Sequence, residues 1–444
     1  MTPVGDGPLS SVNLSAFWIL MDPKSSETVS TPGGKDGERP KNGMSVLRAA
    51  CSIAMTAVGI GILALPRATA ESGFIGGLVT LFIAAFASYI AGLLLWKALF
   101  LNPTQGDSAM PSFEEMGYAA FGRVGSIYFG FILHLVLTAI CAVLLVLLAS
   151  TTIAFTKVLD VRTWVAIWAL ACLPLSWIKE MKNVSLLAAV GVVSVCTLVV
   201  VVIVACIQHL ATAGTRDSYN LLSTNPLRLL GNFAAFIFSF GFSATTPTIT
   251  HNMNEPKRYP VALAIAALFC VITYASLMLL GYAAYGDSLL NADTIADAIS
   301  PPRSNLSVAG WIINFVILVV VVSHFLVLYT PTALAMDDFL SRVGWVTKLP
   351  DARQRIARLS ARSALVVIQA LIAVAIPSVD KLVNLIGALC VIQLCFIVPI
   401  ACYVKLKRMA GIRIGIIEIV LYLVLLVVAL IAMGVGIHGA VIQF

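Results

Sequence analysis

The sequence predicts an all-α membrane protein of eleven transmembrane helices. The first ten form a five-plus-five inverted repeat with broken helices one and six, and an extra C-terminal helix follows. Of the 444 residues, 60% are apolar and 11% charged, which leaves too little polar surface to solvate a globular fold of that size. Apolar runs of about 20 residues, the length that crosses the hydrocarbon as a helix, recur from about residue 45 to residue 438. Glycine and proline interrupt two of them at matching places in the two halves.

The expected spans are 45-66, 74-100, 126-156, 163-178, 185-208, 228-250, 260-285, 307-336, 362-377, 382-404 and 414-438. Cytoplasmic loops carry an excess of Lys and Arg, and an inner N-terminus puts 21 of the 28 basic residues inside. The other seven (Arg67, Lys157, Arg162, Arg216, Arg228, Arg303 and Lys381) are scattered singly, whereas the loops 342-362 and 405-413 are dense clusters. The chain therefore divides into a disordered cytoplasmic tail at 1-43, five-helix repeats at 44-210 and 211-404, and an eleventh helix with the C-terminus at 405-444. The tail is rich in Gly, Pro, Ser and charge and shows no cleavable signal; one apolar patch, Ala16 to Met21, is too short to span.

The net charge of +7 follows from this topology. A basic face next to anionic lipid accounts for it, so no nucleic-acid partner is implied. All nine cysteines fall within or at the edge of expected spans and read as small apolar helix residues without metal spacing. The outer loop after span seven holds the sequon Asn305-Leu306-Ser307, a glycosylation acceptor if that side is a lumen or the cell exterior.

With no soluble domain, function must lie between helices. Span one contains Gly59, Gly61 and Pro66. Glycine weakens a helix by roughly 1 kcal/mol and proline by about 3, so the segment is expected to unwind. Irregular backbone at membrane depth is tolerated only where protein or a polar cavity satisfies the freed groups. In span six, Gly241 and Pro247 bracket Phe242-Ser243-Ala244-Thr245-Thr246. Paired interruptions at equivalent positions point to a midplane binding site in an inverted-repeat transporter. A broken helix presents amides on one half and carbonyls on the other, reinforced by the macrodipole, which suits a zwitterion. The α-carboxylate is expected on the amides of Gly59, Ile60 and Gly61, and the α-ammonium on carbonyls near Thr56, Ala57 and Phe240. The substrate side chain would face Gly241, Phe242, Ser243 and Thr246. No covalent chemistry and no cofactor are implied.

Val58-Gly59-Ile60-Gly61-Ile62-Leu63-Ala64-Leu65-Pro66 resembles the first-helix signature of the amino acid/auxin permease family, within the amino acid-polyamine-organocation superfamily. Phe113-Glu114-Glu115-Met116-Gly117 with Ala120-Phe121-Gly122 resembles that family's stretch before span three. Phe238 to Pro247 with Met253 resembles span six of its vesicular inhibitory amino acid transporter branch. Gly281-Tyr282 with Tyr285-Gly286-Asp287 and Ile376-Pro377 through Gly387-Ala388 agree further along. Bacterial aromatic amino acid permeases share the span-one signature. The resemblance implies the inverted repeat, an amino acid substrate, coupling to protons or sodium, and a plasma or vacuolar/lysosomal membrane.

Sodium-coupled members of the family place an Asn in span one and a Thr in span eight as oxygen ligands. Those positions fall here at Met55 and His324, with Thr56 and Ser323 one residue away. A hard cation wants several oxygens, so proton coupling is expected, and it needs a titratable group at depth. The acids Glu71, Asp337, Asp338 and Glu418 lie near span ends, which leaves His324 in span eight and His134 in span three as the ionisable residues near mid-span. A channel would show a hydrophilic pore, and a membrane enzyme would show a nucleophile or metal constellation; neither pattern is present. The expected function is a proton-coupled amino acid transporter working by alternating access. An amino acid sensor with little flux and a sodium-coupled transporter remain the alternatives.

Overall fold

The computed structural model describes residues 43–59, 61–101, 109–156, 158–177, 181–213, 219–223, 226–300 and 308–442. Ile60, the tail through residue 42 and the Asn305 sequon lie outside them. The described backbone is helical apart from turns and one backbone bridge between Met44 and Met253.

Nine of the described helices are long and apolar enough to cross a membrane, and α1 (Val46–Ala57) with α2 (Gly61–Ser72), meeting at 57°, makes a tenth if counted as one span. The expected fourth span is the shorter apolar helix α5 (Val161–Ser176). Its 16 residues rise about 24 Å, against a hydrocarbon thickness of about 30 Å. The remaining elements are α3 (Phe74–Leu99), α4 (Phe113–Thr156), α6 (Met181–Ala213), α7 (Pro226–Ser239), α8 (Thr246–Asn252), α9 (Tyr259–Tyr285) and the short α10 (Ile295–Ile299). Then come α11 (Val308–Arg342), α12 (Gly344–Thr347), α13 (Asp351–Ala375), α14 (Val379–Ile386), α15 (Val398–Met409) and α16 (Ile416–Ile442). Two π-helical turns, Gly387–Val391 and Gln393–Ile397, join α14 to α15.

Large apolar side chains such as Phe82, Phe86, Leu268, Ile272, Ile416 and Ile417 stand exposed on the outer helix faces. In a multi-pass membrane protein these contact lipid, whose tails are as apolar as the side chains. The chain is thus an integral membrane protein with many crossings.

Two glycines set turns that no other residue fits well. Gly73 has φ 80° between α2 and α3, and an added Cβ there would lie 2.7 Å from the Leu221 backbone. Gly122, with φ 66° and ψ −152°, folds α4 into two arms, so that residues 113–121 return along the stretch that follows. Gly117 and Gly125 let the arms touch: a Cβ on Gly117 would lie 2.5 Å from the Gly125 carbonyl oxygen.

A buried ion pair joins α5, α11 and α13. Arg362 Nη2 donates to Asp337 Oδ2 at 2.7 Å and Nη1 donates to the Ser176 carbonyl at 3.0 Å, while the Tyr329 hydroxyl donates to the Arg362 carbonyl at 2.7 Å. Such a pair is stable only with its remaining hydrogen bonds satisfied, and here the fork of the guanidinium is shared between a carboxylate and a helix-end carbonyl.

Candidate functional site

Span one breaks where its glycines sit. Val58 leaves helical geometry at ψ 75°, its amide still bonding the Ala54 carbonyl at 2.7 Å. Gly59 then closes a tight turn, its amide donating to the Ala57 carbonyl at 2.8 Å. Helix α2 restarts at Gly61, so the amides of Gly61, Ile62 and Leu63 open a helix and have no partner within it. The anion-accepting set is therefore shifted from the expected one: Gly59 already spends its amide, Ile60 lies outside the described residues, and Gly61 leads the helix N-terminus.

Span six breaks after α7. Phe240 N–H bonds the Ile237 carbonyl at 3.0 Å, Gly241 N–H bonds that of Phe238 at 3.3 Å, and Phe242 N–H reaches back to the Phe240 carbonyl at 2.7 Å. A tight 3₁₀ turn, Phe242–Thr245, then leads into α8. The Ser239 carbonyl, freed at the end of α7, accepts from the Tyr274 hydroxyl at 2.7 Å. Phe240 packs edge-on to Phe242 and against Tyr274, with ring centres 5.7 and 5.1 Å apart. Phe240, Phe242, Ser243 and Thr246 are all buried.

The two breaks face each other. Thr56 Oγ1 and Thr245 Oγ1 stand 3.3 Å apart across them, and a Cβ on Gly61 would lie 2.6 Å from Ser239 Oγ. Of the expected residues, Thr56, Ala57, Gly59, Gly61, Phe240, Gly241, Phe242 and Ser243 cluster around this junction. Thr246 turns the other way, to the Tyr259 hydroxyl of α9 at 2.8 Å. Sequence reading passed over Thr245 and Tyr274. Thr245 lay inside the interrupted motif, whereas a lone tyrosine in span seven gave no signal.

His324 of α11 lies against the break in span one. Its imidazole is placed on the Met55 carbonyl, and a Cβ on Gly59 would come 3.3 Å from Nε2. Met55 and His324, the two positions read from sequence as replacing cation ligands, are thus neighbours. Ser323 bonds its own helix instead, Oγ donating to the Val319 carbonyl at 2.8 Å. His134 is elsewhere: Nδ1 is 3.2 Å from Thr332 Oγ1 and Nε2 is 3.7 Å from Glu114 Oε1.

At the far end of α2 a charge cluster bridges three segments. Arg67 lies 3.4 Å from Glu71, 3.3 Å from Asp380 at the start of α14 and 3.7 Å from Asp293 in the loop after α9. It also donates to the Ala292 carbonyl at 2.8 Å. In the same loop, burial pushes the Asp297 carboxyl up to about 6, against the pull of its hydrogen bonds from Thr294.

The family described as "Transmembrane amino acid transporter protein" matches residues 42–442. Among curated proteins, the chain is 25% identical over 387 residues to "Amino acid transporter AVT1C" of Arabidopsis thaliana, covering 84% of this chain and 64% of that protein. It is 24% identical over 379 residues to "Amino acid transporter AVT1E" of the same plant, covering 81% and 66%. It is also 25% identical over 376 residues to "Lysine histidine transporter-like 4", covering 79% and 78%. The chain spans just under two thirds of the length of the AVT1C and AVT1E proteins. These relatives are transporters rather than enzymes. A match from residue 42 to residue 442 takes in both broken spans and every element packed around them, and the chain belongs to the transmembrane amino acid transporter family.

Proposed function

We propose that this chain is a secondary active transporter of amino acids, coupled to protons and working by alternating access, with the substrate held at the facing breaks of spans one and six. The observation that carries the reading is the junction itself, where Thr56 meets Thr245 at 3.3 Å while His324 rests on the Met55 carbonyl and beside Gly59. The opening amides of α2 suit a carboxylate, and carbonyls at the ends of α1 and α7 suit an ammonium. His324 would gain or lose its proton as the halves of span one shift against α11. The reading includes eleven spans, a cytoplasmic N-terminus, repeats at 44-210 and 211-404, and residence in a plasma or vacuolar/lysosomal membrane.

The test is uptake of a labelled amino acid panel into proteoliposomes under an imposed pH gradient, an imposed sodium gradient or neither, for wild type and His324→Ala. Uptake driven by the pH gradient and lost in the variant is the expected result. Sodium-driven uptake refutes the proton coupling, and binding without flux of any amino acid replaces the transporter by a sensor.

A further inference from the structure

We infer that Glu114, His134 and Thr332 form a second proton-binding station, set between the broken spans and the end of the bundle that carries Met44. The inference rests on the proton-coupled reading above.

Hydropathy alone puts Glu114 outside the bundle. The fold brings it in, because Gly122 reverses the chain with φ 66° and the returning arm is seated on a line of glycines. Gly117 lies on Gly125, and a Cβ on Gly130 would come within 3.1 Å of Glu114 Cγ and Oε1. Gly130 thus leaves room for the carboxyl to pass alongside span three toward the histidine one turn further on. The result is an imidazole with a polar group at each nitrogen: Glu114 Oε1 at 3.7 Å from Nε2 and Thr332 Oγ1 at 3.2 Å from Nδ1. The acidic arm would not need three close glycine approaches if Glu114 were only a solvated helix-start residue.

Thr332 lies on the same helix as His324 at the break. Residues 324, 328 and 332 lie on one face of α11, and the eight-residue separation of His324 from Thr332 corresponds to about 12 Å along the axis. Pro331 lies within that helix, so the Val327 carbonyl loses its usual i+4 amide donor. Side-chain exposure is 27% for His134 and 37% for Glu114, so neither group is sealed inside the bundle. A threonine hydroxyl both donates and accepts, so a proton taken at Nδ1 can leave from Nε2 to the carboxylate with no change in redox state. At 3.7 Å that last transfer goes through a bridging water or follows a small side-chain movement.

Two polar groups of the described residues stand against His134. Glu114 comes from the returning arm and Thr332 from α11. Nearer the start of the same span, Tyr128 donates to Gln393 of the π-helical segment at 2.7 Å. Asp337, further along α11, is taken by Arg362.

The experiment uses the full chain in proteoliposomes, with Glu114→Gln and His134→Gln, and reads two rates: accumulation driven by a pH gradient, and amino acid counterflow with no gradient. Accumulation is expected to fall tenfold or more, and several times further than counterflow does. Equal losses in both rates would mean that the pair only holds the arm in place and would overturn the inference, as would accumulation at wild-type level. Wild type that exchanges substrate but ignores the pH gradient would sink the proton-coupled reading itself, and the station with it. If the Gln variants do not reach the membrane, Gly130→Ala displaces the carboxyl more gently. It should shift the pH profile of transport, and an unchanged profile overturns the inference.

Discussion

Gly61 is a close approach between the two broken spans. A Cβ there would lie 2.6 Å from Ser239 Oγ, 3.1 Å from Phe238 Cδ1 and 3.2 Å from Ser239 Cα. The hydroxyl can swing aside, though it gives up its bond to the Ala235 carbonyl. The backbone Cα cannot. Carbon atoms pack best at about 3.5–4.0 Å, so alanine forces α2 and α7 apart by several tenths of an ångström, and leucine forces them apart by far more. Overpacking of this kind costs about 1–3 kcal/mol, and about 1.4 kcal/mol is tenfold in binding. Gly61→Ala should therefore weaken apparent substrate affinity about tenfold, and Gly61→Leu should abolish uptake. Gly434 on α16 has nothing within 4 Å of an added Cβ, so Gly434→Leu serves as a control expected to transport within twofold of wild type. Uptake into proteoliposomes at matched protein content measures all three. Near-normal affinity and rate for Gly61→Leu would refute both the site and the packing argument.

The link between the breaks predicts that Thr245→Val raises KM by about three- to tenfold, and that adding Thr56→Val costs little more, because both remove one contact; independent, additive losses would argue against the contact. Removing one partner of the buried pair by Asp337→Leu should cost about 3–5 kcal/mol, while Asp337→Leu with Arg362→Leu should recover much of it. Thermal unfolding of purified protein reads this, and a double variant worse than either single one would count against the pair as described. Asp297, raised from an ordinary 3.8 to about 6, holds its proton more tightly in the folded loop. That loop should therefore lose stability as pH rises from about 4 to about 6. Hydrogen exchange across residues 294–299, corrected for intrinsic rates, should show more protection at pH 5 than at pH 7. Asp297→Asn should flatten the difference, and an equal pH response in the variant would refute the assignment.

Much of the architecture is legible in the sequence because lipid is a demanding solvent: backbone groups must be satisfied within each helix, so spans appear as long apolar runs and exceptions stand out. Gly59, Gly61 and Gly241 mark the breaks for that reason. Which of Thr245 and Thr246 meets Thr56 is not legible at that level. Adjacent residues point about 100° apart on an α-helix, and the turn Phe242–Thr245 is wound as 3₁₀, so the phase could not be carried across the break. Glu114 was hidden differently. Its segment is polar enough to read as a loop, and only contacts among Gly117, Gly125 and Gly130, invisible to any local pattern, fold it onto His134.

The contacts also divide the molecule into parts that can move and parts that resist. Arg362 ties α5, α11 and α13 together through buried hydrogen bonds, so α11 presents His324 from a braced frame. Span one is held instead at its two ends by different neighbours. Met44 exchanges backbone bonds with Asn252 and Asn254, which fastens α1 to the end of α8, while Arg67 fastens α2 to the loop after α9 and to the start of α14. Between these anchors the described link between the halves is the turn at Val58 and Gly59. A ligand bridging the α1 carbonyls and the α2 amides would therefore act on the angle at that turn. His324 meets the α1 side of it at Met55 and the turn itself at Gly59 from the braced frame, so a change in angle changes what the imidazole meets. On the proposed reading, that is how substrate occupancy and protonation come to depend on each other.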